Sequence, residues 1–204
     1  MRAVLAVLAF STLVLAGLTG CPKALPYHDY AKEPDPRTKE LVLGVGDVVL
    51  VNVWENKEFN TEATIRPDGT ITMPLIGDLK AAGETPSSLK GQIKTQLKDF
   101  VKSTPGTELV TIAVKAWKSY KFTMQGEISR PGVYTSDGFV TVADAIAMAG
   151  GLSRFADARG IKIFRPDPVT KKQRTIPIDY GQITSGKRLD MNIWILAGDV
   201  ISVP

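Results

Sequence analysis

Between Leu41 and Pro204 the chain is written in short runs of β-branched and aromatic residues, and only two stretches carry helical spacing. That pattern most constrains the fold, because a period of two buries one face of a sheet while a period near 3.6 buries one stripe of a helix. Leu43-Gly44-Val45-Gly46-Asp47 leads into Val48-Val49-Leu50-Val51-Asn52-Val53-Trp54, a strand reached through a glycine turn. Arg66-Pro67-Asp68-Gly69-Thr70 predicts a tight turn joining Ala63-Thr64-Ile65 to Ile71-Thr72-Met73 as a hairpin, since Asp-Gly accepts positive backbone angles.

Thr85-Pro86 reads as a helix cap followed by proline in the first turn. Leu89, Ile93, Leu97 and Phe100 or Val101 then predict an amphipathic helix of about four turns lying on a sheet. Leu109 to Trp117 alternates, with Val110, Ile112, Val114 and Ala116 on one face, closing a first unit over residues 41–117. A second unit, 118–204, opens with the strand Lys121 to Met124 and the turns at Gly126 and at Pro131-Gly132. Thr141 caps a helix through Met148, with Asp144 in capping-box position and Gly150-Gly151 ending it. Further strands are expected at Ile161 to Arg165, Arg174 to Ile178 and Val200 to Val203. The fold class is therefore α+β, with the second unit similar to a β-grasp.

Gly46-Asp47-Val48-Val49 has an echo in Gly198-Asp199-Val200-Ile201. Each aspartate is expected to accept local backbone hydrogen bonds at a strand entrance. Asp47, Asp68 and Asp199 are also the carboxylates a lyase or hydrolase would use, but each has a turn to explain it. The chain has no phosphate loop, no histidine-pair metal motif and no nucleophile elbow, so neither a catalytic residue, a cofactor nor a metal is expected.

The N-terminus addresses location. Arg2 precedes a stretch, Ala3 to Leu18, that is apolar but for Ser11, Thr12 and Gly17, too short for a comfortable membrane span. Leu18-Thr19-Gly20-Cys21 follows, and Cys21 is the only cysteine, so no intramolecular disulfide can form. This resembles a bacterial lipoprotein signal: residues 1–20 would be removed and Cys21 acylated. In such lipoproteins an aspartate after the cysteine favours the inner membrane; Pro22 stands here, which favours the periplasmic face of the outer membrane. Residues 21–40, with Pro22, Pro26, Pro34 and Pro36, read as an extended tether, and His28, the only histidine, as a tether residue. Net charge is +4, or +3 once Arg2 leaves with the signal, and the basic residues are scattered; nucleic-acid binding is not expected. The densest basic cluster, Lys171-Lys172-Gln173-Arg174, reads as a solvated hairpin loop.

Taken in order, several stretches resemble one family, the bacterial outer-membrane polysaccharide export lipoproteins. They are Leu43 to Asp47, Ile65 to Gly69, Met73-Pro74-Leu75-Ile76-Gly77, Gly126-Glu127, Thr141 to Ala145, Ala149-Gly150-Gly151-Leu152 and Gly198 to Ile201. The resemblance implies a polysaccharide-export domain followed by an SLBB-type β-grasp domain, and a homo-oligomeric ring giving passage to capsular or exopolysaccharide. It also implies an inner-membrane copolymerase or tyrosine kinase as partner. Val45 and Ala197 stand where the family often has proline. Larger members add a C-terminal pore helix, whereas this sequence stops at Ser202-Val203-Pro204, which implies a separate outer-membrane β-barrel porin. The competing expectation is a monomeric saccharide-binding sensor or adaptor. Its contacts would be Trp54, Trp117 and Trp194, with Trp117 expected to face outward because it falls opposite Val110, Ile112 and Val114.

Overall fold

The computed structural model describes residues 25–101, 108–167 and 172–204. Cys21 and the expected signal, residues 1–20, lie outside the described residues.

In the first unit β1 (Val48–Val53) is central, flanked antiparallel by β2 (Thr61–Thr64) and β5 (Val110–Ala116). Alternation along β1 turns Val49, Val51 and Val53 inward. Against that face packs α1 (Pro86–Leu97), whose Leu89, Ile93 and Leu97 are fully buried at a spacing of four. Burial of each such side chain contributes about 1.5–3 kcal/mol, so this stripe fastens the helix to the sheet. Thr85 Oγ1 accepts from Ser88 N–H, as a cap should. α1 is just over three turns rather than four; the chain tightens after Leu97, placing Val101 inside and leaving Phe100 exposed.

The expected hairpin around Asp68-Gly69 needs correction. The turn is present, closed by Gly69 N–H to Arg66 C=O at 2.8 Å, with Gly69 at φ +82°. The strands it joins, however, enter different ladders. β2 pairs with β1, whereas β3 (Thr70–Met73) pairs with β4 (Gly77–Lys80), a strand the sequence did not announce. Just past β4, Ala81 and Ala82 both donate to Gly69 C=O at 2.9 Å, holding β4 back over the turn.

The second unit is a five-stranded mixed sheet ordered β7-β6-β10-β8-β9. These strands are β6 (Lys121–Gly126), β7 (Gly132–Thr135), β8 (Ile161–Pro166), β9 (Gln173–Ile178) and β10 (Val200–Val203). β10 lies at the centre, parallel to β6 and antiparallel to β8, so the two sides of the sheet are joined only through it. Gly126 is required there: its φ is +85°, and a Cβ would stand 2.0 Å from Val203 C=O. α2 (Val142–Met148) carries the full capping box between Thr141 and Asp144 and buries Val142, Ala145 and Ile146. A short α3 (Tyr180–Thr184), capped by Asp179, was not foreseen.

The tether expectation meets a contrary finding in residues 25–38. Tyr30 is buried in the core of the second unit, its hydroxyl donating to Pro177 C=O, and burial raises its pKa. Leu25 packs at the same core. The Arg37 guanidinium lies 4.3 Å from the Trp194 ring centroid. From Leu25 onward this segment is thus laid against folded protein, and His28 sits in it with Nε2 2.8 Å from Glu33 Oε1.

Candidate functional site

Both Gly-Asp strand entrances bury their carboxylates completely; Asp47 and Asp199 are each 0% exposed. Asp47 Oδ2 accepts from Gly44 N–H and the Ser119 hydroxyl, each at 2.8 Å. Its Oδ1 accepts from Lys118 N–H at 2.8 Å and Ser119 N–H at 2.7 Å. Four donors therefore hold one carboxylate, and they join the beginning of the first unit to the linker before β6. Gly44 permits the approach, since a Cβ there would meet Ser119 Cβ at 2.4 Å.

Asp199 accepts from Leu196 N–H at 2.8 Å, the local bond expected, but its main partner is Arg165. Arg165 Nε donates to Oδ1 at 3.0 Å and one terminal nitrogen to Oδ2 at 2.6 Å. The other terminal nitrogen reaches Glu33 Oε2 at 2.7 Å, and Arg174 reaches the same oxygen at 2.9 Å. The side chains of Arg165, Glu33 and Asp199 are 3%, 2% and 0% exposed. Sequence reading missed this network. One signal was legible: in β8, Arg165 shares the inward register with Ile161 and Ile163, where an arginine requires buried acids.

Neither carboxylate is arranged for acid–base work, because every oxygen of Asp47 and Asp199 is already committed to donors. Asp68 is an exposed turn carboxylate that accepts from Thr70 N–H and hydroxyl and pairs with Arg66. The Thr70 bonds hold its pKa down at about 2, so it stays ionised and cannot serve as an acid near neutrality. Among the described residues no group of three or more metal-ligating side chains could hold a metal ion, and no helix is long and apolar enough to cross a membrane.

The three tryptophans differ. Trp117 does not face outward: it stacks on Tyr120 at 4.7 Å between centroids and meets Phe139 edge-on at 4.9 Å. The reason is that the strand ends at Ala116, so the alternation no longer governs its side chain, and the aromatic core of the second unit draws it in. Trp194 is half-buried beneath Arg37, and its carbonyl accepts from Arg165. Trp54 alone presents a broad face, at 61% exposed. It borders a groove of about 370 Å³ whose walls include Asn52, Lys57, Asn60, Glu108 and Thr111. Val53 N–H donates to Asn60 Oδ1, and Trp54 N–H to Leu109 C=O, so the groove's floor is tied to both of its walls. An exposed indole among amides and charges can stack on an apolar ring face and bond its hydroxyls. Of the remaining turn residues, Gly150 and Gly151 take positive φ after α2, with Gly151 N–H donating to Ile146 C=O, and Gly198 leads into β10.

Comparison with known proteins accords with this architecture. The family model described as polysaccharide biosynthesis/export protein matches residues 35–115, and the SLBB domain model matches residues 121–179. The capsule polysaccharide export protein BexD of Haemophilus influenzae is 26% identical over 181 residues, covering 79% of this chain and 43% of that protein. The exopolysaccharide production protein ExoF of Rhizobium meliloti (strain 1021) is 28% identical over 130 residues, 58% of this chain and 30% of the relative. The EPS I polysaccharide export outer membrane protein EpsA of Ralstonia solanacearum is 25% identical over 135 residues, 54% of this chain and 35% of the relative. The chain thus spans less than half the length of these curated relatives. Two small units in this order, the first matched by the export family model and the second by the SLBB domain model, give the chain the domain architecture typical of bacterial polysaccharide export lipoproteins.

Proposed function

We propose that this chain is a non-enzymatic, lipid-anchored subunit of a periplasmic and outer-membrane complex that exports capsular or exopolysaccharide. The observation that carries the reading is the ordered pair of matched domains, residues 35–115 and 121–179, together with relatives whose names describe capsule and exopolysaccharide export. In this account acylated Cys21 holds the protein at the periplasmic face of the outer membrane, and copies assemble around a passage. The family resemblance supports an inner-membrane copolymerase or tyrosine kinase and an outer-membrane β-barrel porin as partners. The domain limits 41–117 and 118–204 belong to the same proposal; two separate hydrophobic cores support them.

The test is deletion of the gene with measurement of surface polysaccharide, paired with native mass spectrometry of the membrane-extracted protein. Loss of exported polymer, restored by the full chain but not by Cys21→Ser, is the expected result, with an acylated multimer in the spectrum. Unchanged polymer on the cell surface would overturn the export reading. The exposed face of Trp54 favours a second reading, a monomeric saccharide-binding adaptor. An acylated monomer that binds short oligosaccharides, with binding lost in Trp54→Ala, would establish it in place of the conduit.

A further inference from the structure

Residues 25–38, between the expected acylation site and the first unit, are built as a strap, and a strap has consequences that a tether lacks. Three independent contacts fix it to the second unit. Tyr30 is inserted into that unit's core and bonds Pro177 C=O on β9. The buried Glu33 carboxylate receives Arg165 and Arg174, from β8 and β9, on one oxygen and His28 on the other. Arg37 lies on the Trp194 ring. Glu33 is 132 residues from Arg165, so nothing local holds these groups together, and a buried acid shared among three nitrogen partners costs strongly if pulled away.

Chain geometry then limits what the anchor can do. Four peptide steps separate Cys21 from Leu25, which packs at the second unit's core, and four extended residues span at most about 14 Å. A tether free from Cys21 to Leu41 would reach several times further.

We infer that the strap holds the second unit against the lipid surface, with the face beside the strap's beginning as the membrane-apposed side. This rests on the reading of Cys21 as acylated. That face carries Tyr27, 94% exposed, immediately after Leu25-Pro26. It also carries Leu189, 66% exposed, on the 3-10 turn Leu189–Met191 that adjoins the turn Tyr30–Lys32. Lys187 stands two residues before Leu189 and makes no side-chain bond to other described residues. An amphipathic tyrosine, an aliphatic side chain and a basic residue are suited to the headgroup layer of a bilayer. The occupant of this face is thus lipid, and the second unit is the membrane-proximal one.

The experiment uses full-length protein purified from membranes, with its acyl mass checked, in phosphatidylethanolamine–phosphatidylglycerol vesicles bearing an acceptor dye on a headgroup. A donor dye is placed at Leu189→Cys, Cys21 being blocked by acylation. Strong energy transfer is expected in the parent. It should fall measurably below the parent's in two variants: one with Tyr30→Ala and Glu33→Ala, which releases the strap, and one with ten Gly/Ser residues inserted between Ala24 and Leu25. The insertion leaves every strap contact intact and lengthens the reach by about 17 Å, so the test survives if the first variant misfolds. Equal transfer in the parent and the lengthened variant, or none in an acylated parent, would overturn the inference while leaving the export reading standing. Absence of the acyl mass would remove the anchor reading and this inference together.

Discussion

Gly46-Asp47-Val48-Val49 and Gly198-Asp199-Val200-Ile201 are nearly the same four residues doing the same local task, yet the structure solves their burial in opposite ways. Asp47 is neutralised by dipoles: three backbone N–H groups and a hydroxyl, with no cation among the described residues bonded to it. Asp199 is neutralised by charge, through a guanidinium that a second buried acid shares. The difference teaches that a strand-entrance motif fixes only its own first bond, to Gly44 in one case and Leu196 in the other. Whatever completes the carboxylate comes from elsewhere in the chain and determines what the site joins. At Asp47 it joins the first unit to the linker; at Asp199 it joins β8, β10 and the strap.

Breaking the charged member should cost most. Arg165→Met leaves Asp199 and Glu33 buried without their shared cation and is expected to destabilise by about 3–5 kcal/mol, read by urea denaturation. A loss under 1 kcal/mol would mean that water enters and that the burial of this network has been overstated. Asp47→Asn comes next, since an amide nitrogen would face donors where an oxygen stood. Hydrogen bonds to a charged group are worth about 1.5–3 kcal/mol, and a loss in that range is expected. If the two losses prove equal, the contrast between dipole and charge has no energetic meaning.

Ser119→Ala sharpens the contrast further by removing one donor of four while keeping its N–H bond to Asp47. The expected cost is about 0.5–1.5 kcal/mol in the same assay. The exposed Asp68 is the control and carries the smallest effect. Its pKa, about 2, lies below the ordinary 3.8, so its contribution is present above pH 3.8 and is lost as pH falls through about 2. Because Asp68 is exposed to solvent, Asp68→Asn should cost least of the four at pH 7, and it should flatten the acid limb of the thermal-melting profile between pH 4 and 2. An unchanged acid limb would assign that limb to other carboxylates.

Much of the fold was legible because its signals are local. Thr85-Pro86 and the Leu89, Ile93, Leu97 stripe specify α1, and Thr141 with Asp144 specifies α2, since capping and helical spacing act within one or two turns. Strands β1, β5, β6, β8, β9 and β10 follow from alternation or β-branched runs. The end of α1 was overrun because Phe100 and Val101 are both apolar, and only packing decides which one turns inward. Trp117 was misjudged for a similar reason: period two holds only while the ladder lasts, and the ladder stops one residue earlier.

Composition, spacing and turn chemistry thus determined the α+β class, α1 and α2 but not α3, most strands and the turn roles of Asp47, Asp68 and Asp199. Tertiary structure alone decided that β3 leaves β2 for β4, that Trp117 is packed while Trp54 is open, and that residues 25–38 are a strap. The strap depends on partners far apart in the chain, Glu33 with Arg165 at a separation of 132, and so does the burial of Asp47, which meets Ser119 at 72. A single sequence carries no mark of such a pairing except the cost of leaving a charge buried alone, and that cost becomes visible only once the core has closed around it.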